Sequence, residues 1–498
     1  MKKKVISTLI GCIVLLTLVL TSFIGCLGGK GDPNTLTIWC QSSDLENIAK
    51  QYFAKEYPQY KLNVTVMPTQ DLQKNIDLAL SNGTNLPDVF AMEEAILNKY
   101  VNSGGIIDQT DLLTQAEKNK MYTSVLNQGK GDDGKIYGYA YQISPGAFYY
   151  RTDIAQAVWP SYTLEEIDEM IGESWDSLLD MAAQLKAASN KTIPLYPGTA
   201  ASGVNSKVTP QSGITLVPGY DSMSRIFFSQ IQSPWVVNNK LVINDNIAGG
   251  PDRTVTPNLF ETAKYLVDNG YCNNNISTAE NYLYDTPGFA NSVSVNNNFG
   301  FFLPSWGIMT TIQPQVVINN KGNTQVPNTV GVWRCARSPI DFAYGGTWLG
   351  IPKKAKNIEL AKKFAYYVAT NDAFKRDYAL NTMNFVNSPS IMQELANELP
   401  LYYADGVTPN PYVQKNEDNS TGFVLLGGQN HYKVLLDVAQ TFQGNKLSRF
   451  DAVCNNEAIV WSGKYAFGAD GTSGTNGLNV AIANMKAKIL SQSPGLQS

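Results

Sequence analysis

Strand-like and helix-like segments alternate between residues 35 and 93 of this chain. Three short apolar segments are typical of β-strands: TLTIW, KLNVTV and PDVFAM. The two segments between them, SSDLENIAKQYFAKEY and DLQKNIDLALSNG, repeat apolar residues at helical spacing. In the first of these helices, Ser43 and Glu46 fit a capping box at the start, and Pro58 marks the end. This β-α-β-α-β order predicts a doubly wound, parallel α/β sheet.

The loops at the carboxyl ends of these strands are the first candidate ligand contacts, because ligands bind there in open α/β sheets. One loop follows the first strand and includes Trp39 and Ser42. The other follows the third strand and includes Glu93 and Glu94. In an extended loop, adjacent side chains point in opposite directions, so only one of the two carboxylates can face a cleft. We expect Glu93 to be the one that accepts hydrogen bonds from a ligand.

The remainder of the chain predicts a second lobe that begins near Ser144. GKIYGYAYQIS alternates as a further strand, and SWDSLLDMAAQLKAA is typical of a helix capped by Ser174. Residues 190–330 are rich in Asn, Gly, Ser and Pro, and we interpret them as loops and helices with few strands. GGTWLGIPKKAKNIELAKKFAYYV then returns to a strand followed by a helix, as in the first lobe.

Length and hydrophobic content agree with two lobes, since 498 residues with 43% hydrophobic side chains can bury two ordinary cores. The expected lobes comprise residues 35–142 with 343–397, and 143–342 with 398–498. The formal net charge of −4 gives no basic surface for nucleic acid, so that partner is not expected. Cys40, Cys272, Cys335 and Cys454 allow three disulfide pairings, or four free thiols, and the sequence leaves both open.

The amino terminus has the pattern of an export signal. Three lysines precede an apolar run from Val5 to Leu20, which is sixteen residues long. That run is shorter than the roughly twenty residues needed to span a bilayer. The segment FIGC, ending at Cys26, resembles the lipobox of bacterial lipoproteins, which implies cleavage before Cys26 and lipidation of its thiol. We therefore expect a signal peptide over 1–25 and a lipidated tether over 26–34.

Motifs for chemistry are few. GKGDDGK at residues 129–135 matches a bare G-x-G-x-x-G pattern, but a strand-like segment follows it, so we interpret it as a polar turn. G-x-S-x-G, C-x-x-C and H-E-x-x-H patterns are absent, and His431 is the only histidine. Neither a serine hydrolase nor a zinc enzyme is expected, and we expect no cofactor and no metal site. Paired carboxylates still leave a glycoside hydrolase as an alternative.

The order of motifs resembles the extracellular solute-binding proteins of ABC importers, in the maltose and oligosaccharide-binding branch. The resemblance covers nearly the whole mature chain and rests on LTIW, FAKEYPQYKLNV, LPDVFAMEEAILNKYVNSGGIIDQTDLL, IYGYAYQISPGAFYYRTDI, SWDSLLDMAAQL, PSWG and GGTWLGIPKKAKNIELAKKFAYYVA. It implies a periplasmic-binding-protein-like fold of two α/β lobes, each with a mainly parallel sheet, that close over a solute by a hinge motion. The strands that cross between lobes are expected near residues 140–144, 338–345 and 397–402.

The same resemblance implies where a sugar would bind. Trp306 in PSWG matches a tryptophan on which a sugar ring stacks, and Glu93 lies in the family's cleft loop. Tyr150, Trp235 and Trp348 are further expected contacts. The implied function is a membrane-tethered, monomeric receptor on the extracytoplasmic face of a bacterial cell membrane, which passes an oligosaccharide to an ABC permease and catalyses no reaction. The alternatives are a lipid-anchored glycoside hydrolase and a glycan-docking surface protein, and the solute itself stays open between sugars and other small polar molecules.

Overall fold

The computed structural model describes residues 32–188, 214–229, 235–243, 258–272, 298–313, 329–403, 405–442 and 448–498, with the backbone of 193–194 and 207–208. The predicted signal peptide over 1–25 and the lipidation of Cys26 lie outside these residues. No helix in the described part of the chain is both long enough and apolar enough to cross a membrane.

The strands of the described residues are short. They are β1 Thr35–Cys40, β2 Lys61–Val66, β3 Val89–Glu93, β4 Gly146–Arg151, β5 Ile193–Pro194, β6 Lys207–Val208, β7 Val236–Val237, β8 Lys240–Leu241, β9 Gly300–Pro304, β10 Trp333–Ala336, β11 Thr347–Gly350, β12 Val413–Lys415 and β13 Thr421–Phe423.

Helices make up most of the remaining regular structure. They are α1 Ser43–Asn47, α2 Ala54–Glu56, α3 Thr69–Asn82, α4 Glu94–Val101, α5 Gln115–Lys118, α6 Thr123–Gln128, α7 Thr152–Val158, α8 Leu164–Glu173, α9 Trp175–Ala187, α10 Ser224–Ser229, α11 Leu259–Asn269, α12 Ile358–Thr370, α13 Asp372–Thr382, α14 Pro389–Asn397, α15 Tyr432–Thr441, α16 Asp451–Phe467 and α17 Gly477–Gln492.

The chain divides into two compact units, and the first comprises Met1–Val89 and Pro352–Lys362. Within it, β1 and β2 pair in parallel, as the alternation of strands and helices predicts. The Asp88 carboxylate joins the two parts of this unit, because it accepts the backbone N–H of Thr37 at 2.9 Å and that of Asn357 at 2.8 Å. Helix α3 ends at Gly83, whose φ of +66° is the left-handed conformation that glycine adopts most readily.

The capping box predicted for the first helix is wrong. Ser42, not Ser43, is the N-cap of α1, and its side chain makes no capping hydrogen bond. Ser43 already lies inside the helix, where its hydroxyl cannot replace the N-cap acceptor. Glu46 instead forms an ion pair of 2.5 Å with Lys50, one turn further along. The helix also does not run on unchanged to Pro58, because it becomes a π-helix over Ile48–Phe53.

The second unit comprises Phe90–Ile351 and Lys363–Ser498, and its main strand pairs are antiparallel where parallel strands were expected. β3 and β11 run antiparallel, and β4 has an antiparallel neighbour on each side, β9 and β10. All six residues of β4 are buried. An apolar run of this kind shows that a strand is covered on both faces, but it does not show the direction of the neighbours, which depends on how distant segments return.

The strand predicted over GKIYGYAYQIS is also not formed as a continuous strand. Residues 136–145 make only isolated bridges, among them Ala140 to Trp348, Gln142 to Val386 and Pro145 to Ala343. This segment therefore contacts three separate parts of the chain in turn, so no single partner strand lies alongside it. The crossing of this segment between lobes stays a prediction, and so do the lobe boundaries given above.

The main core of the second unit packs around β4. Phe148 and Tyr150 belong to one large cluster of buried side chains that includes residues of α7–α11, α16 and α17. The predicted cap of α9 is confirmed, since the Ser174 hydroxyl accepts the backbone N–H of Ser177 at 3.0 Å. The polar turn predicted over residues 129–135 is confirmed as well, because Gly131 and Lys135 share a backbone hydrogen bond of 2.9 Å.

The only histidine and the four cysteines of the folded body are all buried. His431 is fully buried, 3.0 Å from the Met383 carbonyl oxygen, and burial lowers its pKa from 6.5 to about 4. The four cysteines of the folded body are buried as free thiols, so none of the three possible pairings is present.

Candidate functional site

Glu94 is the centre of a polar cluster in the second unit, at the point where β3 ends and α4 begins. Its side chain is 7% exposed. One carboxylate oxygen accepts the backbone N–H of Gly345 at 2.8 Å, and the other accepts the side-chain amide of Gln128 at 3.1 Å. Acidic residues are favourable in the first turn of a helix, because the unpaired backbone N–H groups there carry partial positive charge.

The segment that meets Glu94 has a backbone that only glycine adopts readily. Gly345 and Gly346 have φ values of +89° and +118°. A Cβ atom on Gly345 would lie 2.9 Å from Nε1 of Trp306, because the indole packs directly against this backbone. The Trp306 indole N–H donates to the Tyr344 carbonyl oxygen at 3.0 Å, and the two rings lie 6.0 Å apart.

Arg225, on α10, contacts Tyr344 in the same segment. Its guanidinium carbon lies 3.5 Å from the centroid of the Tyr344 ring, a close cation–π contact, and the residue is 5% exposed. Helix α10 is joined to the same segment by Ser229, whose hydroxyl donates to the Ala343 carbonyl oxygen at 2.8 Å. We refer to Glu94, Arg225, Trp306, Tyr344 and Gly345 as the Trp306 cluster.

Buried hydrogen bonds support the turn that carries Trp306. The neighbouring Ser305 hydroxyl donates to the Asn384 side-chain oxygen at 2.7 Å. The Asn384 amide donates to the Gln142 side-chain oxygen at 2.6 Å and to the Tyr378 hydroxyl at 2.9 Å. All four side chains are at most 5% exposed. Such a satisfied buried network holds the turn in one conformation.

Two carboxyl groups near Arg225 have pKa values close to neutrality. Burial raises the pKa of Glu94 from 4.5 to about 7, against the opposing effects of the Gly345 N–H, the Arg225 charge and the Gln128 amide. The nearby Glu93 charge raises it further. Desolvation raises the pKa of Asp221 from 3.8 to about 6, against its own backbone N–H and Arg225. The cluster therefore contains one carboxyl group, Glu94, whose charge changes near pH 7, and Asp221 is a second such group near Arg225.

The residues predicted from sequence lie in different surroundings. Trp306 is half-buried, and Glu93 is half-buried at the end of β3, opposite Thr347 of β11. Trp235, Trp348 and Tyr150 are fully buried. The indole N–H of Trp235 donates to the Asn455 side chain at 2.7 Å, that of Trp348 to the Val125 carbonyl at 3.2 Å, and the Tyr150 hydroxyl to the Asp168 carboxylate at 2.8 Å.

Two predicted residues belong to the first unit. Trp39 lies in β1, half-buried and opposite Thr65 of β2. Ser42 is exposed, and its carbonyl oxygen accepts the Cys40 thiol at 3.3 Å. The roles of all seven residues as ligand contacts stay predictions.

Sequence reasoning placed Glu94 in a candidate loop but selected Glu93, and it missed Arg225, Tyr344 and Gly345. A signal for two of them was present. Arg225 is a lone cation in the apolar segment RIFFSQI, and a buried cation needs a partner. Tyr344 precedes a Gly-Gly pair, which indicates a special backbone. Among the residues that the structure describes, no group of three or more His, Cys, Asp or Glu side chains is arranged to hold a metal ion.

Comparison with known proteins gives a family and a fold. Residues 49–397 match the model of a family described as bacterial extracellular solute-binding protein. The arabinooligosaccharide-binding protein of Bacillus subtilis (strain 168) is 23% identical over 387 residues, which cover 73% of this chain and 76% of that protein.

Solved structures resemble this one over nearly its full length. The ABC transporter associated binding protein from B. animalis subsp. lactis Bl-04, in complex with beta-1,6-galactobiose, has a TM-score of 0.60 at 18% identity, covering 93% of this chain and all of that one. The sugar-binding protein MalE from Xanthomonas citri has a TM-score of 0.61 at 12% identity, covering 92% and 98%. These likenesses confirm the predicted two-lobe, periplasmic-binding-protein-like α/β fold.

Proposed function

This chain belongs to the bacterial extracellular solute-binding proteins, and from that premise we propose that it is a receptor that captures an oligosaccharide and delivers it to an ABC importer. The ligand class is supported by its relatives, one named for arabinooligosaccharides and another bound to a galactobiose. The observation that carries the proposal within this chain is the Trp306 cluster. There, a half-buried indole lies beside a buried carboxylate and a buried guanidinium.

The chemistry of this cluster suits a sugar. A pyranose or furanose ring has C–H faces that pack on an aromatic plane, and hydroxyls that need directed acceptors and donors. In the proposed complex, the Trp306 ring stacks on one sugar unit, and Glu94 and Arg225 exchange hydrogen bonds with its hydroxyls. Glu93, Trp39 and Ser42 are proposed as additional contacts. Tyr150, Trp235 and Trp348, which are fully buried in this structure, stay predicted contacts.

Capture follows from differential affinity. A ligand that contacts the closed form more extensively than the open form shifts the population toward the closed form. We infer that no bond in the solute is made or broken, in keeping with a family of binding proteins. We also propose that Cys26 is lipidated and tethers a monomeric receptor beside its permease, since an acyl chain contributes about 0.8 kcal/mol of membrane affinity per buried methylene.

A thermal-shift screen tests the function. Residues 27–498 are heated with arabinotriose, β-1,6-galactobiose, maltotriose and monosaccharides, and one glycan class should raise the melting temperature. Trp306→Ala should weaken the binding of that glycan about tenfold or more, since a lost ring stack is worth on the order of 1 kcal/mol beyond burial. Trp306→Phe, which keeps an aromatic plane, should retain part of the affinity.

Tyr162→Ala is the control, because Tyr162 is 47% exposed and lies outside the cluster. A flat response of the wild-type protein to every glycan would contradict an oligosaccharide receptor. Release of shorter sugars from a bound glycan over hours would instead favour the glycoside hydrolase.

A further inference from the structure

A surface groove lies between α13, α14 and the segment that follows α14. Its volume is about 550 Å³, within the range of sites that hold small ligands. Arg376 and Leu380 contribute from α13, Glu394 from α14, and Tyr402 and Tyr403 from the segment beyond it. None of its lining residues belongs to the Trp306 cluster. We call it the tyrosine groove.

One wall of the groove is aromatic and firmly held. Tyr402 is 51% exposed. Its backbone forms an isolated bridge with Pro409, and the backbone N–H of Tyr403 donates to the Thr408 carbonyl at 2.9 Å. The Tyr403 hydroxyl donates to the Asn381 side chain at 2.7 Å. The Tyr403 ring is therefore positioned before any ligand arrives, which lowers the entropy cost of binding.

The opposite wall is polar. Glu394 accepts two hydrogen bonds from the Arg376 guanidinium, at 3.2 Å and 2.6 Å, so the cation is fixed in one orientation. Leu380 is 2% exposed beneath them and gives the groove an apolar base. Asp377 and Glu398 add two more carboxylates.

The charges of the groove select among ligand classes. The groove is lined by three carboxylates and one guanidinium. Its net negative charge repels a phosphate or another anion. A neutral glycan suits this lining, because carboxylates accept from hydroxyls, the guanidinium donates to them, and tyrosine rings pack on C–H faces. We propose that the tyrosine groove is a second carbohydrate site, which holds one or two neutral sugar units independently of the Trp306 cluster.

The two sites can be distinguished by titrating variants of residues 27–498 with β-1,6-galactobiose and arabinotriose. Binding is measured by ligand-observed NMR and calorimetry. In the Trp306→Ala background, a weak, saturable site should remain. Adding Tyr402→Ala should weaken it at least tenfold, whereas adding Tyr402→Phe, which keeps the ring, should not. Tyr162→Ala, a similarly exposed tyrosine outside the groove, should leave it unchanged.

Equal binding by Trp306→Ala and by the Trp306→Ala, Tyr402→Ala double variant would overturn the proposal, and so would the absence of saturable binding in Trp306→Ala. If binding depends on Tyr402 and not on Trp306, the groove is a glycan site and the proposed role of the Trp306 cluster fails. The unfolding midpoint of each variant shows that it is folded, and Tyr402 is exposed enough for its removal to be tolerated.

Discussion

Replacing Glu94 with glutamine removes an ionisable group and keeps the shape of the side chain. The pKa of this carboxyl is about 7 in the folded chain, against 4.5 ordinarily, because the side chain is buried. Each tenfold difference in proton affinity corresponds to about 1.4 kcal/mol, so the proton on Glu94 is bound about 3 kcal/mol more tightly in the folded chain than in the unfolded chain. By linkage, that stabilisation is fully present below pH 4.5 and is lost as the pH rises through about 7.

Denaturant unfolding of wild-type protein and Glu94→Gln, at intervals from pH 4.5 to 8.5, measures the effect. Other groups titrate in this range, so the informative quantity is the difference between the two free energies of unfolding. That difference should change by about 3 kcal/mol across the range, with wild-type protein losing stability relative to the variant as the pH rises. Glu173→Gln controls for the loss of a surface carboxylate. Parallel pH profiles for wild-type protein and Glu94→Gln would refute the burial of an ionisable Glu94.

Two further predictions concern the packing of the second unit and the state of the thiols. Gly345→Ala should lower the free energy of unfolding by about 2 kcal/mol or more, since it adds a left-handed residue and a contact with Trp306. Gly134→Ala shares the positive φ but has open space around it, so it should cost about 1 kcal/mol, and equal losses would contradict the contact. The four body cysteines should react with Ellman's reagent only in denaturant, because burial raises each thiol pKa, and labelling of native protein within minutes would contradict this.

Much of the local structure was predictable from the chain alone. β1, β2 and α3 lie where the alternation and the helical spacing indicate, and Ser174 begins its helix as predicted. Each of these features depends on side chains a few positions apart. The order of such motifs along the chain was also sufficient to indicate the family, which the match over residues 49–397 confirms.

The candidate site was predictable only in part. Trp306, Trp235 and Trp348 all lie in short apolar segments, yet only Trp306 keeps part of its ring exposed, because the other two are covered by distant helices and strands. The sequence likewise does not show which of the adjacent residues Glu93 and Glu94 is buried. The buried one is distinguished by the N–H of Gly345, which is 251 residues away along the chain.

The sequence by itself therefore determined local elements such as β1, β2 and α3, and the family, while the tertiary structure decided the direction of the strands around β4 and the composition of the Trp306 cluster. The physical reason is the range of the interactions involved. Helix caps, turns and apolar periodicity arise between near neighbours and can be read directly from the residues. Burial, ion pairing and the orientation of a sheet depend on which remote segments meet, and those contacts exist only once the chain has folded.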